Sequence, residues 1–330
     1  MSALAPTLEA WFTDRLVGQR QASPNTIAAY RDGWRLLLQF VHSRIGTQPC
    51  RIDLGDLNAE VISAFLTHLE KDRHNSVRTR NARLAAIRSF FRYAALRHPE
   101  HAALIARVLE IPSKRGDHKE VRFLDAAEVD ALLTAPDQDT WTGRRDQALL
   151  NVAVQTGLRV SELTGLHIGD VELGTGAHVR CRGKGRKQRS TPLSKPTVAM
   201  LRAWMKERRG TPDDPLFPTR RGAPLTRRAV EFLVDRHAAT AARNCPTLLE
   251  KHPTPHTLRH TCAMSLLQSG CDTSVIALWL GHENVNTTVR IYLHGDLSIK
   301  ERALERTRPI DVKPGRYKPA DPLLAFLTGL

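Results

Sequence analysis

The residues best suited to chemistry lie between His252 and Tyr292, in the run HPTPHTLRHTCAMSLLQSGCDTSVIALWLGHENVNTTVRIY. His256 and Arg259 are three apart and share one face of a helix. His282 follows Gly281, and Tyr292 comes ten residues later. Two imidazoles, a guanidinium and a phenol brought together supply donors for the oxygens of a phosphate and an oxygen nucleophile to attack it. The competing reading makes them ordinary core and surface residues of a helical domain. His252, His256 and His260 recur every fourth residue, a spacing that could hold a metal. Pro253 and Pro255 break the first interval, and no carboxylate lies between His252 and Gly270, so no metal site is expected.

The elements that must position these groups can be read locally. Thr254 followed by Pro255 starts a helix, because threonine caps free N–H groups and proline tolerates the first turn. A second helix starts at Asp272 or Thr273, buries Val275, Ile276 and Trp279, and stops at Gly281, which delivers His282. Upstream, an apolar helix from Arg144 to Thr156, with Leu149, Val152 and Ala153, ends at Gly157, so Arg159 is aimed from a rigid corner. Then Ala177–Arg182 and Gln188–Leu193 alternate about a turn at Gly183-Lys184-Gly185, a β-hairpin. Six of the ten residues from Arg180 to Arg189 are basic. That many like charges on a hairpin tip call for a polyanion, which makes Arg180, Arg182, Arg186, Lys187 and Arg189 candidate phosphate contacts. Helices follow from Lys195 to Arg209 and from Thr226 to about Arg243.

The rest of the chain supports a nucleic-acid partner. Across 330 residues Lys and Arg number 49 against 34 Asp and Glu, a net charge of +15, which favours a polyanion. No apolar run approaches the roughly 18 residues of a membrane span, and no signal peptide opens the chain, so a cytoplasmic protein is expected. Cys50, Cys181, Cys245, Cys262 and Cys271 are odd in number and form no C-x-x-C pair, consistent with reduced thiols. Residues 1–111 read as helices only. Ser23-Pro24 opens one with Ile27, Tyr30, Trp34, Leu37 and Val41 as its stripe, and Asn58 caps the next, with Val61, Phe65 and Leu69 inward. A helix from about Val77 to Leu96 buries Leu84, Ile87, Phe91 and Ala94 and gathers Arg78, Asn81, Arg88 and Arg92 opposite, a second candidate DNA face. Residues 112–120, PSKRGDHKE, form a polar linker without periodicity. Asp125 and Glu128 then mark a helix start and a new domain. The fold class expected is mainly α (α+β): a helical N-terminal domain, then a mostly helical domain with a small antiparallel sheet.

Taken in order, Arg159, Lys184, His256, Arg259, His282 and Tyr292, in the stretches TGLRVSEL, GKGRKQRSTPL, PHTLRH, LGH and IY, resemble the tyrosine recombinase (phage integrase) family, in its Xer-like or mobile-element branches. The resemblance covers roughly residues 7–308. It implies a core-binding domain over 1–111, a catalytic domain over 121–308, and a tail over 309–330 handed to a neighbouring protomer. It also implies double-stranded recombination sites as substrate, a tetramer on DNA with a related recombinase as an admissible partner, and a bacterial, nucleoid-associated setting. Glu162 falls where the family places an acid that orients the site. Integration, excision, transposition and dimer resolution all stay open.

The implied chemistry is cleavage and rejoining through a covalent 3′-phosphotyrosyl linkage, with no metal, ATP or other cofactor. The forks of Arg159 and Arg259 suit the non-bridging oxygens. Lys184 suits protonation of the leaving 5′ oxygen, and ionising Tyr292 at pH 7 would cost about 4 kcal/mol without help from the surrounding cations. One departure is visible: the interval from His282 to Tyr292 is one residue longer than the family's usual spacing. A type IB topoisomerase, a non-catalytic DNA-binding regulator and a metal-dependent nuclease are the alternatives, the last disfavoured by the lack of clustered carboxylates.

Overall fold

The computed structural model describes residues 4–116, 121–182, 188–281 and 288. The chain divides into two compact units, Met1–Lys119 and Glu120–Leu330.

In the first unit, α1 (Leu4–Ala10) runs into a π-helical stretch, Trp11–Gln19, and is followed by α2 (Pro24–Ile45), α3 (Ala59–Lys71), α4 (Val77–Ala94) and α5 (Ala102–Glu110). Small polar residues set the starts: Ser23, Asn58 and Ser76 each accept a bond from an N–H of the first turn. Trp11, Trp34 and Phe90 fill the centre, edge to face, with Phe90 4.6 Å from Trp34 and 5.7 Å from Trp11. Around them Leu37, Val41, Phe65, Leu69, Leu84, Ile87 and Phe91 are buried. The polar side of α4 is engaged within this unit. Arg80 Nη1 donates to Pro112 O at 3.0 Å, Asn81 Nδ2 to Lys114 O at 2.8 Å, and Arg88 to Ile111 O and Ser113 Oγ. The first half of the expected linker therefore lies along α4. Arg78 and Arg92 are exposed.

The second unit comprises α6 (Ala126–Thr134), α7 (Trp141–Thr156), α8 (Val160–Thr164), β1 (Val171–Glu172), β2 (His178–Arg182), β3 (Gln188–Pro192), α9 (Lys195–Arg208), α10 (Arg227–Ala241), α11 (Thr247–Lys251), α12 (Pro255–Gln268) and α13 (Thr273–Leu280). The strands form an antiparallel sheet in the order β1-β2-β3, with Cys181 opposite Arg189 and Arg182 opposite Gln188. The hairpin strands thus lie where alternation placed them, while β1, two residues long, was not expected. Helix α7 is the buried axis: Ala148, Leu149, Leu150, Val152 and Ala153 are enclosed, and α6, α9 and α12 pack around it. Asp146, fully buried on α7, accepts from Arg145, from Arg236 Nη2 at 2.7 Å and bonds His237 Nε2 at 2.9 Å, which ties α7 to α10. Val275 departs from expectation. It is 49% exposed, because α13 turns Ile276, Ala277 and Leu280 inward instead.

Candidate active site

Two helix ends build the site. Helix α7 stops at Gly157 and α13 at Gly281, both left-handed, with φ of 59° and 65°. The last carbonyls of a helix lack intrahelical partners and sit at the negative end of its dipole, so they attract cations. Arg259, on the second turn of α12 and 4% exposed, donates from Nη1 to Gly157 O at 2.5 Å and from Nη2 to Leu280 O at 2.7 Å. Arg159, the N-cap residue of α8, donates from Nη2 to Gly281 O at 3.0 Å and from Nη1 to Glu162 Oε1 at 2.9 Å. Residues 100 positions apart in sequence thereby meet on the adjacent carbonyls of Leu280 and Gly281. The Arg159 side chain is 38% exposed, and these two bonds use two of its five N–H groups.

Glu162 is the anionic counterpart. Its Oε2 accepts from the Arg159 backbone N–H at 2.8 Å, closing a capping-box contact on α8. Arg189, from β3, forks onto both oxygens at 3.0 and 2.8 Å. Burial alone would raise the Glu162 carboxyl, but the bonds from Arg189 and the Arg159 N–H, with both positive charges, hold it below the usual range. Arg189, expected among the DNA contacts, is therefore turned inward; its side chain is only 12% exposed. Alternation could have shown this, because Arg189 shares a strand face with buried Thr191 while Gln188 and Ser190 point outward. Asn81 and Arg88, also expected at DNA, bond backbone carbonyls of residues 111–114 as described. Arg180 is exposed and donates to Gly169 O at 2.8 Å, and Arg182 ends β2.

His256 is exposed on the first turn of α12, its ring edge-on to His260 at 4.1 Å. Cys262, one turn past Leu258, lies beside Gly157, and burial pushes its thiol up to about 12, so it stays neutral. Lys184, Arg186, Lys187, His282 and Tyr292 lie outside the described residues. Among the described residues no three His, Cys, Asp or Glu side chains are grouped to hold a metal ion. Among them too, no helix is long and apolar enough to cross a membrane.

The phage integrase family model matches residues 122–298, and the N-terminal SAM-like domain model of phage integrases matches residues 10–98. This chain belongs to the phage integrase family. Among its integrase relatives, the putative integrase/recombinase y4rC of Sinorhizobium fredii is 53% identical over 329 residues, covering 100% of this chain and 99% of the relative. Tyrosine recombinase XerC of Pelobacter propionicus is 34% identical over 299 residues, 90% of this chain and 94% of that one. The fold is shared with XerH site-specific recombinase in a post-cleavage complex with palindromic difH DNA, at 24% identity and a TM-score of 0.69, covering 87% of this chain and 81% of that one. The integrase is thus a tyrosine recombinase, an enzyme of site-specific DNA recombination, and the topoisomerase and regulator readings give way.

Proposed function

We propose that this integrase cuts and rejoins double-stranded recombination sites through Tyr292, with Arg159, Lys184, His256, Arg259 and His282 around the scissile phosphate and Glu162 in support. The observation that carries the reading is the convergence of Arg159 and Arg259 on the carbonyls of Leu280 and Gly281, immediately before His282 in sequence. The Tyr292 oxygen forms a bond to phosphorus as the bond to the 5′ oxygen breaks, leaving a 3′-phosphotyrosyl ester. The phenolic proton passes to a histidine, and Lys184 protonates the departing 5′ oxygen. The guanidinium forks offset the charge that grows on the non-bridging oxygens. A new 5′ hydroxyl attacking the ester reverses the sequence, so the bond energy is conserved and no ATP is consumed.

In this reading residues 1–111 form a core-binding domain, 112–120 a connection, 121–308 the catalytic domain and 309–330 a tail exchanged between protomers of a tetramer. The enzyme works on DNA in the bacterial cytoplasm, at the nucleoid. The 53% identity to a putative integrase/recombinase, against 34% for tyrosine recombinase XerC, supports the integrase reading. Trapping on a nicked suicide DNA in EDTA tests the chemistry. A covalent protein–DNA adduct that disappears in Tyr292→Phe is expected, and cleavage that needs a metal and leaves no adduct would refute it.

A further inference from the structure

Arg189 has no part in the chemistry just described, yet it is the residue on which the described half of the site closes. Glu162 offers four acceptor positions, and all four are taken: Oε1 by Arg159 Nη1 at 2.9 Å and Arg189 Nη1 at 3.0 Å, Oε2 by the Arg159 N–H at 2.8 Å and Arg189 Nη2 at 2.8 Å. Arg159 is thus held at its backbone and its guanidinium by one carboxylate, and that carboxylate is held in turn by β3. The same guanidinium meets the end of α13. A Cβ built on Gly281 would stand 2.5 Å from Arg189 Nη1 and 3.3 Å from its Cδ, and Gly281 O is the second acceptor of Arg159. Four residues from three elements form a ring, Arg189 to Glu162 to Arg159 to Gly281 and back by van der Waals contact.

We propose that Arg189 is a positioning residue for strand cleavage: its planar fork fixes Glu162 against Arg159, and so sets the direction of the Arg159 guanidinium from the hairpin strand. Lysine could supply the charge but not the two parallel bonds. Without the fork, Glu162 remains at 9% exposure with two acceptor positions empty, and the pull of burial on its carboxyl is no longer balanced. A protonated Glu162 releases Arg159, and a small misplacement of a group that contacts the reacting phosphate is costly in rate.

The inference rests on the recombinase mechanism above, and its test separates the two. Full-length wild type, Arg189→Gln, Arg189→Lys, Glu162→Gln and the Arg189→Gln/Glu162→Gln pair are compared on the nicked suicide DNA at saturating concentration. Arg189→Gln should cleave about a hundredfold more slowly, with DNA affinity and its salt dependence within about twofold of wild type, since no phosphate contact is lost. Arg189→Lys should recover little of the rate. The deficit of Arg189→Gln should narrow as pH rises, because the unforked carboxyl loses its proton at a higher pH than in wild type. The pair should be no slower than the slower single variant, because both changes break one unit. Losses that multiply, or a salt slope that falls with the rate, would overturn the proposal, as would a wild-type rate in Arg189→Gln. Should wild type form no adduct, the recombinase mechanism fails, and the Arg159 Nε–H resonance still decides on Arg189. It should shift in both Arg189 variants without DNA, and an unmoved resonance overturns the positioning role.

Discussion

Gly157 and Gly281 show how little room the site leaves at single residues. A Cβ on Gly157 would lie 2.6 Å from Leu280 Cδ2 and 3.1 Å from Cys262 Sγ, and both glycines have φ near 60°. Gly157→Ala combines a left-handed backbone with a clash, so it should destabilise the second unit by about 1–3 kcal/mol, read as a drop in its melting temperature. Unchanged stability would mean that α7 ends another way. Glu162 gives a pH prediction of definite sign. Its folded carboxyl titrates below the unfolded value of about 4.3, so its stabilisation is present above that pH and is lost as pH falls through the folded value. Glu162→Gln should cost about 3–5 kcal/mol at pH 7 by leaving Arg189 buried and unpaired, and the gap to wild type should shrink toward pH 3. A gap that stays constant with pH would show that the carboxylate charge does not stabilise the fold. At this scale type and order single out Arg159 and Arg259 in the sequence, and the structure brings the two onto adjacent carbonyls. The inward turn of Arg189 was obscured by its five basic neighbours, since charge composition reports a partner for the group and not for each member.

Elements were legible where their causes are local. Ser23, Asn58, Asp125 and Thr254 all cap the helices expected of them, because a cap depends on one side chain and the N–H groups within reach. Val275 was misread for the opposite reason: on an eight-residue helix several apolar arcs are available, and packing partners choose among them. Helix α4 shows the same limit on its polar side. Its four basic or amide positions look equivalent along the helix, but Asn81 and Arg88 bond residues 111–114 while Arg92 is exposed. The two kinds of arginine should therefore separate experimentally. Arg92→Ala should weaken DNA binding and lower the salt slope by about one, with the melting temperature unchanged. Arg88→Ala should lower the stability of the first unit by about 1–2 kcal/mol, because it strands the Ile111 carbonyl. Equal effects of both variants on DNA binding, with no loss of stability, would show that the intramolecular bonds of Arg88 do not hold in solution.

For the whole molecule, the division into two units has an energetic basis in where the cores lie. Among the described residues, the aromatic cluster of Trp11, Trp34 and Phe90 draws on residues 4–111, and the apolar groups around α7 and α12 draw on residues 121–280. Each unit thus has a core of its own, the condition for folding without the other. A fragment of residues 1–116, which keeps the bonds from α4 to residues 111–114, should unfold cooperatively, with Trp11 and Trp34 fluorescence and helical circular dichroism changing together. A gradual transition, or probes that part company, would show that its core depends on the second unit. If both units touch DNA, joining them turns the second contact into an intramolecular event at high effective concentration. Full-length protein should then bind a recombination site at least about a hundredfold more tightly than either 1–116 or 121–330 alone, measured at one salt concentration. Affinity of 121–330 equal to that of the full chain would assign DNA binding to the second unit, and would leave the arginines of α4 with a structural part only.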